Sequence, residues 1–131
     1  MKKILAFLPA FLYYSLIFFF SSRTIKLKTD IPFIDKVIHL FEFAILGFLL
    51  SFGIFLSLKS RSKIKVYITL FSGIALGALD EMHQYFVPGR STEILDFIAD
   101  ALGILAGLFF FLFLFSRVKE KIQALLPFPP D

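Results

Sequence analysis

Apolar residues fill four long stretches of this chain, at 4–20, 37–58, 66–86 and 94–115, separated by short polar segments. Each stretch is close to one bilayer crossing in length, since roughly 20 helical residues at about 1.5 Å apiece span about 30 Å of hydrocarbon. The pattern predicts an all-α membrane protein, a four-transmembrane-helix bundle forming a single domain over residues 1–131. Pro9 should kink or loosen the first helix near its start. The third stretch is polar at its end and the fourth in its first turns. The tail Leu126-Pro127-Phe128-Pro129-Pro130-Asp131 cannot continue a helix. No internal repeat, linker or second domain is visible.

Basic residues orient the bundle. Nine of the fourteen lie at the two ends of the chain and in the loop between the second and third helices: Lys2, Lys3, Lys59, Arg61, Lys63, Lys65, Arg117, Lys119 and Lys121. Five lie on the other side, at Arg23, Lys26, Lys28, Lys36 and Arg90. The excess predicts cytoplasmic N- and C-termini. An apolar run after Lys2 and Lys3 is also what a signal peptide shows, but no small-x-small cleavage pattern precedes Ser21-Ser22, where three Phe stand. The segment therefore reads as an uncleaved first helix. Because the basic residues flank apolar segments, they signal topology and anionic headgroups, not nucleic acid.

Two polar blocks interrupt this pattern: Asp35-Lys36-Val37-Ile38-His39-Leu40-Phe41-Glu42, and Asp80-Glu81-Met82-His83-Gln84 running through Pro88-Gly89-Arg90 to Asp96 and Asp100. Under the predicted topology both belong to the extracytoplasmic half of the membrane. Ionisable groups inside hydrocarbon are expensive and mark sites. Asp35, His39 and Glu42 recur at i, i+4, i+7, with Lys36 beside them. Asp80, His83 and Gln84 recur at i, i+3, i+4, and Gly73 and Gly77 extend their stripe. Asp96, Asp100, Gly103 and Gly107 make a third stripe. Small residues at this spacing let helix backbones approach closely, so the second, third and fourth helices should pack with these faces inward. The Phe-rich first helix should be more peripheral. Asp80 stands six residues before Phe86 and Asp100 six after Ile94, either way about 9 Å along a helix, so the groups should meet below the headgroups and above the midplane. Pro88-Gly89 signals a turn. Ser91 or Thr92 should cap the fourth helix, with Glu93 in its first turn. Arg90 at that helix start suits a phosphate or carboxylate, or else pairs with Asp80 or Asp96.

Charge narrows the chemistry. The blocks hold seven acids, Asp35, Glu42, Asp80, Glu81, Glu93, Asp96 and Asp100, against Lys36 and Arg90 and two histidines. Such an excess is not left bare in low dielectric. Protonated carboxyls, charged histidines or a bound cation would each resolve it, and Glu81 and Glu93 would be relieved by facing water. The chain has no Cys, so disulfides and thiolate metal sites are excluded. A divalent ion on imidazole and carboxylate is compatible, with His39, Asp96 and Asp100 as candidate ligands.

The same residues give the chain a resemblance to the VanZ-like family of bacterial membrane proteins. The matching features are Tyr13-Tyr14 through Phe20-Ser21-Ser22, then Asp35-Lys36…His39…Glu42, then Asp80-Glu81…His83-Gln84…Pro88-Gly89-Arg90…Asp96…Asp100…Gly103…Gly107. They cover the chain from about Leu12 to Gly107. The resemblance implies a link to glycopeptide resistance, chiefly against teicoplanin, and supplies no established reaction.

Three functions follow from these residues. In the first, an outer-leaflet pocket recognises or modifies an envelope lipid headgroup, a phosphorylated polyprenyl or a phospholipid, through binding residues Asp35, Lys36, His39, Glu42, Gln84 and Arg90. In the second, a metal-assisted hydrolase or transferase acts on a lipid phosphate or ester. Asp80, His83, Asp96 and Asp100 are its candidate catalytic residues, with Glu42 or Asp80 as general base. No G-x-S-x-G, P-loop or histidine-serine-arginine phosphatase pattern supports it. In the third, the groups form a structural interhelical network. Transport fits poorly, because the inner halves are apolar and the glycine stripes predict close packing.

Overall fold

The protein is described by a computed structural model covering residues 2–23 and 31–125. It contains helices α1 (Lys2–Leu5), α2 (Leu8–Ser21), α3 (Ile34–Ser57), α4 (Ser62–Tyr85) and α5 (Ile94–Leu125). Four of the resulting segments are long and apolar enough to cross a membrane, with α1 and α2 making up the first. The first stretch is broken where Pro9 requires it. A proline ring clashes with the carbonyl four residues earlier, here Leu5, and Leu5 ends α1. Pro9 then sits in the first turn of α2, where its missing N–H costs nothing.

Helix ends differ from the apolar stretches in places. α3 starts at Ile34, earlier than expected, with Asp35 in its first turn facing the positive end of the helix dipole. α4 starts at Ser62, taking in Lys63 and Lys65. Lys65 donates to the Phe55 carbonyl at 3.1 Å and lies over the Phe55 ring, which ties the α3–α4 corner. α5 runs to Leu125, past the expected end at Phe115. No glycine or proline stands between Gly107 and Pro127, so the helix continues after its apolar character has ended. The expectation for the tail 126–131 lies outside the described residues.

Two helices make the spine. Gly103 and Gly107 of α5 lie against the backbone of α3 at Leu40, Ala44 and Phe48, and Gly47 of α3 lies against the backbone of Ile104. A side chain at any of these positions would hold the helices apart. On α4, Gly73 faces the Ile104 side chain and Gly77 faces Asp100. Phe43, Leu46 and Ile104 are fully buried between the three helices. α2 is peripheral as expected, burying Ala10, Ile17 and Ser21 while Phe11 and Phe19 face outward. The Tyr14 hydroxyl fastens it to α4 by donating to the Leu76 carbonyl at 2.9 Å. Away from the polar end, Phe48, Phe55, Phe110, Phe111 and Phe115 interlock α3 with α5.

The exterior of the bundle is strongly apolar, with Phe71 79% exposed and Phe109 63%. Such a surface needs hydrocarbon around it. The interior holds the buried ionisable groups, His39, Asp80, Glu81, Asp96 and Asp100, and these gather at one end, where α2 and α4 finish and α3 and α5 begin.

Candidate functional site

The turn between α4 and α5 sets the site. Val87 to Arg90 closes through the Arg90 N–H on the Val87 carbonyl at 3.1 Å, with Pro88 second and Gly89 third at φ 80°. This is a type II turn, whose third position requires positive φ and hence glycine. It folds Arg90 back over α4, where the guanidinium donates to Gln84 Oε1 at 2.6 Å. Gln84 in turn donates through Nε2 to Asp80 Oδ2 at 2.8 Å, across one helical turn.

The start of α5 is held differently from expectation. Its first helical residue is Ile94, and neither Ser91 nor Thr92 supplies the cap. Glu81 does so from α4: its Oε2 accepts from the Glu93 backbone N–H at 3.3 Å, and its carbonyl accepts from the Thr92 hydroxyl at 3.4 Å. Expected as a group that would be relieved by facing water, Glu81 is only 5% exposed. Glu93 does face water in part.

Lys36 gathers the rim. Its ammonium lies 2.5 Å from Asp35, 2.5 Å from Glu93 and 3.1 Å from Asp96. Asp35 and Glu93 are exposed, while Asp96 is buried. Further in, His39 Nδ1 and Asp100 Oδ1 are hydrogen-bonded at 2.8 Å, joining α3 to α5 at the glycine contact. His39, Asp80, Glu81 and Asp100 are all buried, and each offers a ligand atom within 4.8 Å of the others.

Of these groups, Asp35, Glu93, Asp96, His39 and Asp80 border a chamber of about 620 Å³. Ile17, Phe20, Ile34 and Ile38 give it apolar walls. His39, Glu42 and Asp80 lie deeper, and Arg23 and Arg90 stand at the helix ends.

Of the residues singled out in the sequence, Asp35, His39, Glu42, Asp80, Gln84, Arg90 and Asp96 line this chamber. Lys36 and Asp100 bond to lining residues from behind. His83 is not with them. It stacks on Phe18 of α2 with ring centroids 3.9 Å apart, and its Nε2 lies 2.8 Å from the Ser22 hydroxyl. The reason is rotational: at about 100° per residue, Glu81 and His83 fall on opposite flanks of the Gly73–Gly77–Asp80–Gln84 stripe. The Glu81 flank meets α5 and the His83 flank meets α2. The expected ligand trio also divides. His39 and Asp100 group with Asp80 and Glu81, while Asp96 groups with Asp35 and Glu93 around Lys36. Sequence spacing missed Glu81 as an inner residue, and the only hint was its place one residue along from Asp80.

Four helices long and apolar enough to cross a membrane define a multi-pass membrane protein. The VanZ/LLP1 family model matches residues 1–116, and the chain belongs to that family. No curated protein and no solved structure matches it.

Proposed function

We propose that this protein holds the polar head of an envelope lipid in the chamber between α2, α3, α4 and α5, on the side of the membrane away from the cytoplasm. The observation that carries this reading is the chamber itself. It lies at one end of the spans, has apolar walls at Ile17, Phe20, Ile34 and Ile38, and has Arg23 and Arg90 beside its polar groups. A phosphorylated head, of a polyprenyl carrier or a phospholipid, is the best match for the guanidinium of Arg90. Gln84 takes one of the five N–H donors a guanidinium carries and fixes its position. Planar donors held in place suit a phosphate bidentately. The side assignment rests on the excess of basic residues at the other end of the bundle.

The test is lipid retention. Protein extracted in mild detergent should carry a phosphorylated lipid visible by native mass spectrometry. Arg90→Ala should lower that occupancy by about tenfold, the loss of roughly 1.4 kcal/mol or more from a charge-assisted contact. Phe71→Ala, on the apolar exterior, should leave it unchanged. Equal occupancy in wild type and a folded Arg90→Ala protein would overturn the headgroup reading. From the family resemblance we also propose an effect on teicoplanin susceptibility, measured as a lower inhibitory concentration when the gene is deleted; an unchanged value would remove that part.

A further inference from the structure

We propose that His39, Asp80, Glu81 and Asp100 form a binding site for one divalent transition-metal ion, of the Zn²⁺ or Mn²⁺ class, at the inner side of the chamber. The site shares His39 and Asp80 with the chamber lining, but it is read by metal content and not by lipid retention.

The pattern of satisfied and unsatisfied oxygens carries it. Each of the three carboxylates has one oxygen tethered. Asp80 Oδ2 accepts from Gln84, Glu81 Oε2 accepts from the Glu93 N–H, and Asp100 Oδ1 is bonded to His39. The other oxygen of each, Asp80 Oδ1, Glu81 Oε1 and Asp100 Oδ2, is buried with no hydrogen-bond partner among the described residues. The residues are 1%, 5% and 1% exposed, so bulk water does not supply the missing bonds. Ligating carboxylates are built this way, with one oxygen oriented by an outer hydrogen bond and the other turned to the ion. An unpaired buried carboxylate oxygen is costly, and three of these four clustered residues each carry one.

Distance and charge agree. Each of the four residues offers a nitrogen or carboxylate oxygen within 4.8 Å of the others, and His39 Nδ1 would exchange its bond to Asp100 Oδ1 for the ion. Ligands about 2.1 Å from a tetrahedral ion stand about 3.4 Å apart, a contraction that side-chain rotation supplies. One imidazole, even when protonated, offsets at most one of three carboxylate charges. Arg90 reaches Asp80 only through the neutral amide of Gln84. The second acidic cluster is an internal control: Asp35, Glu93 and Asp96 are as crowded, but the Lys36 ammonium stands among them. Asp96 Oδ1 also lacks a hydrogen bond, but it stands 3.1 Å from that ammonium, whereas the three leftover oxygens of the inner cluster have no lysine or arginine beside them among the described residues. A nitrogen ligand beside carboxylates favours Zn²⁺ or Mn²⁺ over Ca²⁺ and Mg²⁺, which take oxygen sets.

The experiment is metal analysis of the full chain in mild detergent, stripped with chelator, reloaded with Zn²⁺ or Mn²⁺ and desalted. Wild type should hold roughly one ion per chain, and its thermal midpoint should rise on loading. Asp80→Asn and Glu81→Gln should each weaken binding by at least about tenfold, while Glu93→Gln, in the lysine-paired cluster, should bind as wild type does. Should a variant fail to fold, the stoichiometry and thermal shift of wild type decide alone. Well-folded wild type that takes up neither ion, or folded Asp80→Asn and Glu81→Gln proteins that bind as tightly as wild type, would overturn the site. Lipid retention is read separately, so either proposal can fail while the other stands.

Discussion

Lys36 shows how much one side chain can decide here. Its ammonium joins Asp35, Glu93 and Asp96, yet only Asp96 depends on it fully, because that carboxylate is buried while the other two reach water. Replacing Lys36 with Met should therefore cost about 2 to 3 kcal/mol, most of it from a buried charge without a partner. Asp35→Asn, at an exposed position, should cost less than about 1 kcal/mol. Denaturation in detergent measures both. The double variant Lys36→Met/Asp96→Asn should recover most of the loss, and no recovery would mean that Lys36 acts through packing alone. At this scale the sequence was legible where spacing alone sets contact. The i, i+4 relation brought Gln84 onto Asp80. It was silent on flanks: Glu81 and His83 sit on either side of one stripe, and only the arrangement of α2 and α5 around α4 separates a buried carboxylate from a histidine that stacks on Phe18.

Between elements, the α3–α5 contact is the tightest. A methyl at Gly107 would run into the Ala44 carbonyl oxygen, which is backbone and cannot turn aside. Gly107→Ala should cost about 2 to 3 kcal/mol as the helices separate. At Gly77 the nearest atom is Asp100 Cβ at 3.1 Å, which needs to give by only a few tenths of an ångström. Gly77→Ala should cost less than about 1.5 kcal/mol, and comparing the two unfolding midpoints checks the order. If Gly107→Ala proved the milder change, backbone contact would not be what holds α3 to α5. The glycine stripes of α4 and α5 were legible as close-packing faces, but Gly47, their counterpart on α3, is followed at i+4 by Ser51 and not by a second glycine, and was not read as one. Hydropathy located the spans and placed the ends of α2, α3 and α4 and the start of α5 to within one residue, but it missed the starts of α3 and α4 and the end of α5, because a helix stops at a breaker or a cap and not where its apolar residues run out. α5 outlasting Phe115 shows this.

For the whole molecule, the four spans follow from hydropathy and length, whereas the chamber depends on how the helices are rotated against one another, which period and composition do not fix. Sidedness follows from charge: the loop of Lys59, Arg61, Lys63 and Lys65 should face the cytoplasm and the Arg90 turn the opposite side. The chain has no cysteine, so single Ser60→Cys and Ser91→Cys variants report directly. A membrane-impermeant maleimide should label Ser91→Cys in intact cells and Ser60→Cys only after permeabilisation. The reverse pattern would put the chamber on the cytoplasmic side.

The most direct test of the account is to ask which lipid occupies the chamber. A photoreactive benzoyl-phenylalanine in place of Ile38, on the chamber wall, should capture one class of phosphorylated lipid in cells. The same probe in place of Phe71, on the outer surface, should capture bulk lipid, and adding Arg90→Ala should abolish the enrichment at Ile38 alone. Bulk composition at both positions, unmoved by Arg90→Ala, would contradict the claim that this chamber holds a headgroup.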